Sequence, residues 1–204
     1  MTRPYQSHRR AEGAARTRQD IVTAALKLHA QGVTALNAVA KEAGVSLPTL
    51  QKHFPTRDDL FRACTAHSRT LMPPPPIDDL ARIADPAERL FEIVRQVYAF
   101  HEIKLGYNWM AYKLEDESPV LGELLAALDL LVGRAVDALL QEWKTNVPLT
   151  DVEAMRGFAC GLLSPLTFRA LRLKGGLNLD LATRETALAL SKMLGIEINL
   201  LQSR

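Results

Sequence analysis

The segment TALNAVAKEAGVSLPTLQKHF, residues 34–54, restricts the fold more than any other part of the chain. It contains two short helical patterns separated by Gly44, a residue type that readily takes the left-handed conformation with which helices end. Thr34 is placed to cap the first helix and Ser46 the second, and Pro48 falls in the first turn, where its missing N–H has no intrahelical partner to lose. Two short helices joined by a tight glycine turn predict a helix-turn-helix, whose second helix enters the major groove of DNA.

The rest of the chain is also helical in pattern. Apolar residues recur at helical spacing along most of it, and no segment alternates as a strand does. One helix is predicted over residues 151 to about 174, with a kink at Pro165, and another over residues 180 to about 194. We therefore predict an all-α fold.

Four consecutive prolines, residues 73–76, mark the predicted domain boundary, because prolines neither continue a helix nor donate backbone hydrogen bonds. We predict a basic N-terminal arm over residues 1–16 and a helix-turn-helix domain over residues 17–62, which continues into a connecting helix to about residue 71. A larger helical domain is predicted over residues 77–204.

The positive charge of the chain is concentrated at its N-terminal end. Residues 1–62 carry ten Lys and Arg against five Asp and Glu, whereas the remainder carries fifteen against eighteen. This asymmetry indicates that the N-terminal end meets a polyanion. Arg9, Arg10, Arg16 and Arg18 either belong to a flexible basic arm or reach phosphates from the first helix.

The expected cellular compartment follows from two features that are not found in the sequence, a membrane span and a secretory signal. No stretch approaches the ~20 apolar residues that a membrane span needs, and the basic N-terminus is not followed by the apolar stretch of a secretory signal. We expect a cytoplasmic protein without a membrane partner. Cys64 and Cys160 are far apart in the sequence, and in that compartment we expect free thiols in the core.

The run RQDIVTAALKLHAQGVTALNAVAKEAGVSLPTLQKHFPTRDDLF, residues 18–61, resembles the N-terminal domain of TetR-type (TetR/AcrR) transcriptional regulators. Its most specific part is AGVS followed by Thr49, Leu50, His53, Phe54 and Arg57. The resemblance implies a three-helix helix-turn-helix domain followed by a larger helical domain that binds a small effector and dimerises. It also implies a homodimeric repressor that binds a double-stranded DNA operator, expected to be an inverted repeat, and that uses no cofactor.

The predicted DNA-binding residues lie in or beside the helix-turn-helix. Lys52, His53 and Arg57 are placed to reach phosphates, which position a protein without reading sequence, although a lone Lys or Arg is also common on solvated surfaces. Gln51 is suited to an adenine edge and Leu47 to a thymine methyl group, with solvent exposure as the alternative. The full predicted set is Thr34, Ser46, Leu47, Pro48, Thr49, Gln51, Lys52, His53 and Arg57.

The larger domain gives weaker signals. Aromatic residues are concentrated where a partly apolar effector pocket is expected, although an ordinary core is the alternative for each of them. The predicted effector residues are Tyr98, His101, Trp109, Met110, Tyr112, Phe158 and Phe168. Small and apolar residues suited to a two-fold helix interface, or else to the core of one subunit, are Gly157, Gly161, Leu162, Leu166, Leu188 and Leu190.

The sequence shows no pattern typical of catalysis or of a metal site. It has no phosphate-binding glycine loop, no nucleophile elbow, no HExxH and no suitably spaced acidic pair. We therefore predict a regulator and not an enzyme. Two alternatives remain open: a helix-turn-helix protein without a small effector, and a small helical enzyme whose N-terminal domain resembles a DNA-binding domain only in fold.

Overall fold

The computed structural model describes residues 3–141 and 149–197, with side chains for residues 8–141 and 151–197. The α-helices in chain order are α1 (Arg3–Ala30), α2 (Leu36–Glu42), α3 (Leu47–His53), α4 (Arg57–Leu71), α5 (Ile77–Leu80), α6 (Pro86–Ile103), α7 (Leu105–Leu114), α8 (Pro119–Leu139), α9 (Leu149–Leu163), α10 (Pro165–Leu173) and α11 (Leu179–Leu194). A short 3-10 helix, Glu115–Glu117, lies between α7 and α8. The described residues contain no strand, so the predicted all-α fold is confirmed.

The chain divides into two compact units. The first unit consists of Met1–Pro73 and Gly106–Leu125, and the second of Pro74–Leu105 and Ala126–Arg204. The division at Pro73 lies inside the proline run, which follows the end of α4. No local pattern in the sequence predicts that residues 106–125 join the first unit.

The first unit is built around α1, which packs against α2, α3 and α4. Ile21, Val22 and Ala25 form the buried stripe of α1 at helical spacing. Leu50 of α3 and Phe61 of α4 are fully buried in the same unit. Burial of a leucine or phenylalanine side chain stabilises a fold by about 1.5 to 3 kcal/mol, so these residues fix α3 and α4 in the unit.

The predicted flexible arm is helical in the structure. Residues 3–16 continue α1 without a break, and Arg9, Arg10 and Arg16 are exposed on it. The alanine, arginine and glutamate residues of this stretch have high helix propensity, and α1 elongates through them without a new nucleation step. The ends of the predicted arm and of the predicted C-terminal domain, residues 1–2 and 198–204, lie outside the described residues.

The predicted turn between α2 and α3 is confirmed. Gly44 has a φ of +67°, which is the left-handed conformation that only glycine adopts without strain. Ser46 Oγ accepts a hydrogen bond from the N–H of Thr49 at 3.3 Å and caps α3. Pro48 occupies the first turn of α3, as its missing N–H allows.

The prediction that Thr34 caps α2 was wrong. The N-cap position of α2 is held by Ala35, which has no side chain capable of capping. Thr34 lies one residue further from the helix, and Asn37 Oδ1 accepts the N–H of Ala38 at 2.8 Å instead.

The start of α4 is fixed by a capping box that the sequence analysis overlooked. Thr56 Oγ1 accepts the N–H of Asp59 at 3.1 Å, and Asp59 Oδ2 accepts the N–H of Thr56 at 3.1 Å. The Thr56 hydroxyl also donates to Asp59 Oδ2 at 2.7 Å, and this bond, with that from the Thr56 N–H, holds the pKa of Asp59 below its ordinary value. The spacing of a threonine and an acidic residue three positions later was a readable signal for this cap.

The core of the second unit is formed mainly by α6 and α11, with residues from α8, α9 and α10. Residues 151–174 were predicted as one kinked helix, and here the prediction was wrong. Ser164 ends the first segment and caps a new helix, with its Oγ accepting the N–H of Thr167 at 3.1 Å. Pro165 takes the first position of α10, because its ring clashes less there than inside a continuous helix.

None of the described helices is long and apolar enough to cross a membrane. Cys64 is buried and Cys160 is half-buried, and both are free thiols. Burial raises the pKa of Cys64 to about 12, so its thiol stays protonated.

Candidate DNA-binding site

One face of α3 is exposed to solvent. It carries Leu47, Pro48, Gln51 and Lys52, while Leu50 on the opposite face is fully buried. An exposed leucine beside an amide and an ammonium group offers an apolar contact, a bidentate hydrogen-bonding group and a cation within two turns of one helix. These are the groups that meet a thymine methyl, an adenine edge and a phosphate in the major groove.

The hydroxyl groups at the start of α3 are used for capping. Ser46 Oγ lies 2.8 Å from Thr49 Oγ1 in addition to its bond with the N–H of Thr49. Ser46 is exposed and Thr49 is half-buried. Both predicted DNA-binding residues therefore also stabilise the first turn of α3.

Arg18 ties α1 to the end of α3. Its Nη1 donates to the carbonyl oxygen of His53 at 2.9 Å, and its guanidinium lies 4.1 Å from the ring centroid of Phe54. A cation at a helix C-terminus satisfies an otherwise unpaired carbonyl and interacts favourably with the helix dipole. Arg18 was predicted to belong to an arm or to reach a phosphate. Its contact with His53 was not predicted, because nothing local in the sequence connects the two residues.

Arg57 stands at the first position of α4. It is half-buried, its Nη2 donates to Glu117 Oε2 at 3.0 Å, and its guanidinium lies 5.6 Å from the ring centroid of Phe61. The side chain of Arg57, which was predicted to contact a phosphate, therefore already has an acidic partner in the same unit. Glu117 was not singled out in the sequence.

Thr34 lines a cleft of about 250 Å³ in the first unit, with Gln31 and three residues of α7, Trp109, Met110 and Lys113. Trp109 is 38% exposed and Met110 is buried. Three of the predicted effector residues, these two and Tyr112, thus lie in the same unit as the helix-turn-helix. Tyr112, also on α7, is half-buried.

Three other predicted effector residues meet in the second unit. The ring centroids of Tyr98 and Phe168 are 4.7 Å apart, and those of His101 and Phe168 are 6.0 Å apart. Tyr98 Oη donates to the carbonyl oxygen of Leu162 at 2.8 Å, and His101 Nε2 lies 2.9 Å from the carbonyl oxygen of Leu163. Burial raises the pKa of Tyr98 to about 12 and lowers the pKa of His101 to about 4. All three are therefore neutral, buried and packed against one another.

The residues predicted for a dimer interface are not all on the surface. Gly157, Gly161 and Leu166 are exposed, and Leu162 and Leu188 are half-buried. Leu190 is fully buried in the core of its own unit, since it lies on the inner face of α11. Phe158, predicted in the effector set, is 59% exposed on α9 beside Gly157.

These observations define the class of protein. The capped helix α3 presents polar and apolar side chains to solvent and packs with α1 and α2 in a part of the chain rich in Lys and Arg, as in a helix-turn-helix DNA-binding domain.

Comparison with known proteins agrees with this class. Residues 21–64 match the family model for bacterial regulatory proteins of the tetR family. No curated protein matches the chain significantly in sequence. The family-model match covers the helix-turn-helix part of the chain, which is therefore similar to the N-terminal domain of TetR-family transcriptional regulators.

Several solved structures resemble the whole fold. A transcriptional regulator from Rhodococcus sp. Rha1 is 17% identical, with a TM-score of 0.67 over 89% of this chain and 99% of that chain. A TetR-like transcriptional regulator from Rhodococcus sp. RHA1 is 16% identical, with a TM-score of 0.62 over 89% and 97% of the two chains. The transcriptional regulator FadR from Bacillus subtilis, in complex with stearoyl-CoA, is 16% identical, with a TM-score of 0.58 over 88% and 98%. At this identity the likeness shows the fold.

Proposed function

We propose that this chain is a homodimeric repressor that binds an inverted-repeat operator through α3 and leaves it when a small, partly apolar effector binds. The observation that carries the DNA-binding part is the exposed face of α3, with Leu47, Gln51 and Lys52 on a helix held by the buried Leu50 and by the contact from Arg18 to His53. A helix fixed in this way keeps the base-reading side chains in one register on DNA.

Salt dependence and two substitutions test this part. Operator affinity should fall steeply between about 50 and 200 mM salt, with a log-log slope of about −0.9 for each phosphate neutralised. Arg57→Ala should weaken binding to operator and unrelated duplex alike, because a phosphate carries no sequence information. Gln51→Ala should cost about 1 to 3 kcal/mol on the operator and little on unrelated DNA. Fluorescence anisotropy with both duplexes measures these effects.

Arg69→Ala provides the matched control, because it removes the same charge from the other end of α4, about 18 Å along the helix. It should change affinity much less than Arg57→Ala. Salt-insensitive binding, or the same loss from Gln51→Ala on every duplex, would contradict the roles given to these residues.

A two-fold assembly is supported by the surface of α9 and α10. Gly157, Phe158, Gly161 and Leu166 are exposed there, and small residues beside apolar ones allow two helices to approach closely. The exposure of Phe158 favours this surface over a pocket as its place. Two DNA-binding domains joined this way would reach half-sites about one DNA turn, ~34 Å, or a multiple of it apart. Sedimentation that finds a monomer at micromolar concentration both free and on DNA would rule the dimer out.

The effector proposal depends on the cluster of Tyr98, His101 and Phe168. His101 Nδ1 is buried and has no hydrogen-bond partner among the described residues, so it is available to a polar group of a ligand. The stearoyl-CoA bound by the Bacillus subtilis FadR makes acyl-CoA thioesters the first probes to use, beside apolar aromatic acids. An effector must prefer the conformation with low DNA affinity, because equal affinity for both conformations shifts nothing. A ligand that raises the melting temperature without weakening operator binding is not the inducer, and failure of a chemically broad set would favour the regulator without an effector.

A further inference from the structure

The first two residues of α4 contact two neighbouring residues located 60 positions further along the chain. Arg57 Nη2 donates to Glu117 Oε2 at 3.0 Å, and Ser118 Oγ donates to Asp58 Oδ1 at 2.6 Å. All four residues belong to the first unit. The N-terminus of α4 is therefore held by the junction between the 3-10 helix and α8.

The Ser118 contact fixes the geometry of this junction. Ser118 is fully buried, and its side chain bonds to Asp58, although its position directly before α8 would also allow it to cap that helix. A third contact lies two turns along α4, where Thr65 Oγ1 and Tyr107 Oη are 3.1 Å apart. These contacts hold α4 at two separate turns. The fold itself therefore places the Glu117 carboxylate beside the Arg57 guanidinium.

Glu117 supplies the carboxylate that contacts Arg57. It belongs to the acidic sequence Glu115–Glu117, and the Glu117 side chain is 59% exposed while that of Arg57 is 35% exposed. A carboxylate and a phosphate use the same bidentate face of a guanidinium. A phosphate that takes the Nη2 donor of Arg57 therefore has to displace the Glu117 carboxylate.

We infer that Glu117 acts as an internal competitor of the DNA phosphate for Arg57 and so lowers the affinity of the regulator for all DNA. The inference rests on the proposed role of Arg57 as a phosphate contact. Ser118 is a positioning residue in this arrangement, because it holds the end of α4 against the segment that carries Glu117. An exposed pair of this kind is weak enough to be broken by DNA and strong enough to affect affinity severalfold.

The test compares two substitutions that remove the same charge from the same 3-10 helix. Glu117→Gln should tighten DNA binding about two- to fivefold more than Glu115→Gln, on operator and unrelated duplex alike. Glu115→Gln corrects for the general gain from removing a negative charge near DNA. The excess should shrink as the salt concentration rises, because ions screen an exposed pair.

The same pair of substitutions in an Arg57→Ala background identifies the partner. Without Arg57, Glu117→Gln and Glu115→Gln should have equal effects, because there is no guanidinium left to release. Equal effects in the unsubstituted chain would overturn the inference, and so would an excess that persists without Arg57. If Arg57→Ala alone leaves DNA binding unchanged, the proposed phosphate contact fails first, and the competitor role fails with it. Circular dichroism and melting temperature of both Gln variants check that folding is retained.

Discussion

Replacement of Gly106 by alanine is expected to destabilise the first unit by about 3 kcal/mol or more. A Cβ at this position would lie 2.1 Å from the carbonyl oxygen of Ala30 and 2.9 Å from its carbonyl carbon. These are backbone atoms at the end of α1, so they move only if α1 or α7 moves. Denaturant unfolding followed by circular dichroism should show a lower midpoint, and operator binding should weaken because α1 supports α3.

Gly122→Ala is the control for this experiment. Gly122 lies inside α8 in the same unit, and a Cβ there meets no atom within 4 Å. Alanine is a better helix former than glycine, so this variant should be as stable as the original or more stable by up to about 1 kcal/mol. A Gly106→Ala variant that unfolds at the same denaturant concentration as Gly122→Ala would show that the close approach of α7 to α1 is wrong.

Acidification from pH 7 to pH 5 is expected to reduce the free energy of unfolding by about 2 kcal/mol for each of two buried histidines. Burial, with a smaller contribution from the charge of Arg57, lowers the pKa of His29 from 6.5 to about 4. Burial also lowers the pKa of His101 to about 4, and its hydrogen bond with Leu163 opposes this shift only in part.

The direction of the change in stability with pH follows from which state, folded or unfolded, binds the proton. Between about pH 6.5 and 4 the unfolded chain protonates histidines that the folded chain keeps neutral, so the folded state loses stability as the pH falls. The full contribution is present above about pH 6.5. Glu92 and Glu102 have lowered pKa values through their arginine partners, so their loss of stability begins at more acidic pH. Denaturant titrations between pH 5 and 7 therefore report on the histidines.

The His29→Phe substitution separates the contribution of His29 to the pH dependence of stability from that of His101. Neither ring nitrogen of His29 has a hydrogen-bond partner among the described residues, and the ring lies edge-on to Phe61 with centroids 5.1 Å apart. A phenylalanine keeps an aromatic ring there and has no proton to gain, so about half of the pH dependence should disappear. A pH dependence that is the same in the His29→Phe variant as in the original chain would contradict the assignment.

The helix-turn-helix could be predicted because its signals are local. Gly44 ends α2, Ser46 caps α3 and Pro48 fits the first turn through interactions that span at most three residues. The errors at the caps were also local. Thr34 was placed one residue too close to α2, and Ser164 before Pro165 was interpreted as part of a kinked helix although a serine before a proline equally starts a new one.

The prediction of pocket and interface residues is limited by a different factor from the prediction of the caps. Periodicity identifies an apolar face but does not say which apolar side chains stay accessible after packing. Tyr98 and Leu190 are buried in the second unit, whereas Phe158 remains exposed on its surface. In the sequence, all three are hydrophobic residues within helical segments. Their roles in effector binding and dimerisation stay predictions.

By itself, the sequence determined the helices, the turn and cap that define α3, and the resemblance of residues 18–61 to the TetR family, because each depends on residues close together in the chain. Only the tertiary structure decided which partners the functional side chains have. Arg18 meets His53 across 35 positions and Arg57 meets Glu117 across 60, and such pairs form only after the helices between them have packed. No short stretch of the sequence specifies how these helices pack, because the free energy that stabilises the packing comes from all the buried side chains of the unit together.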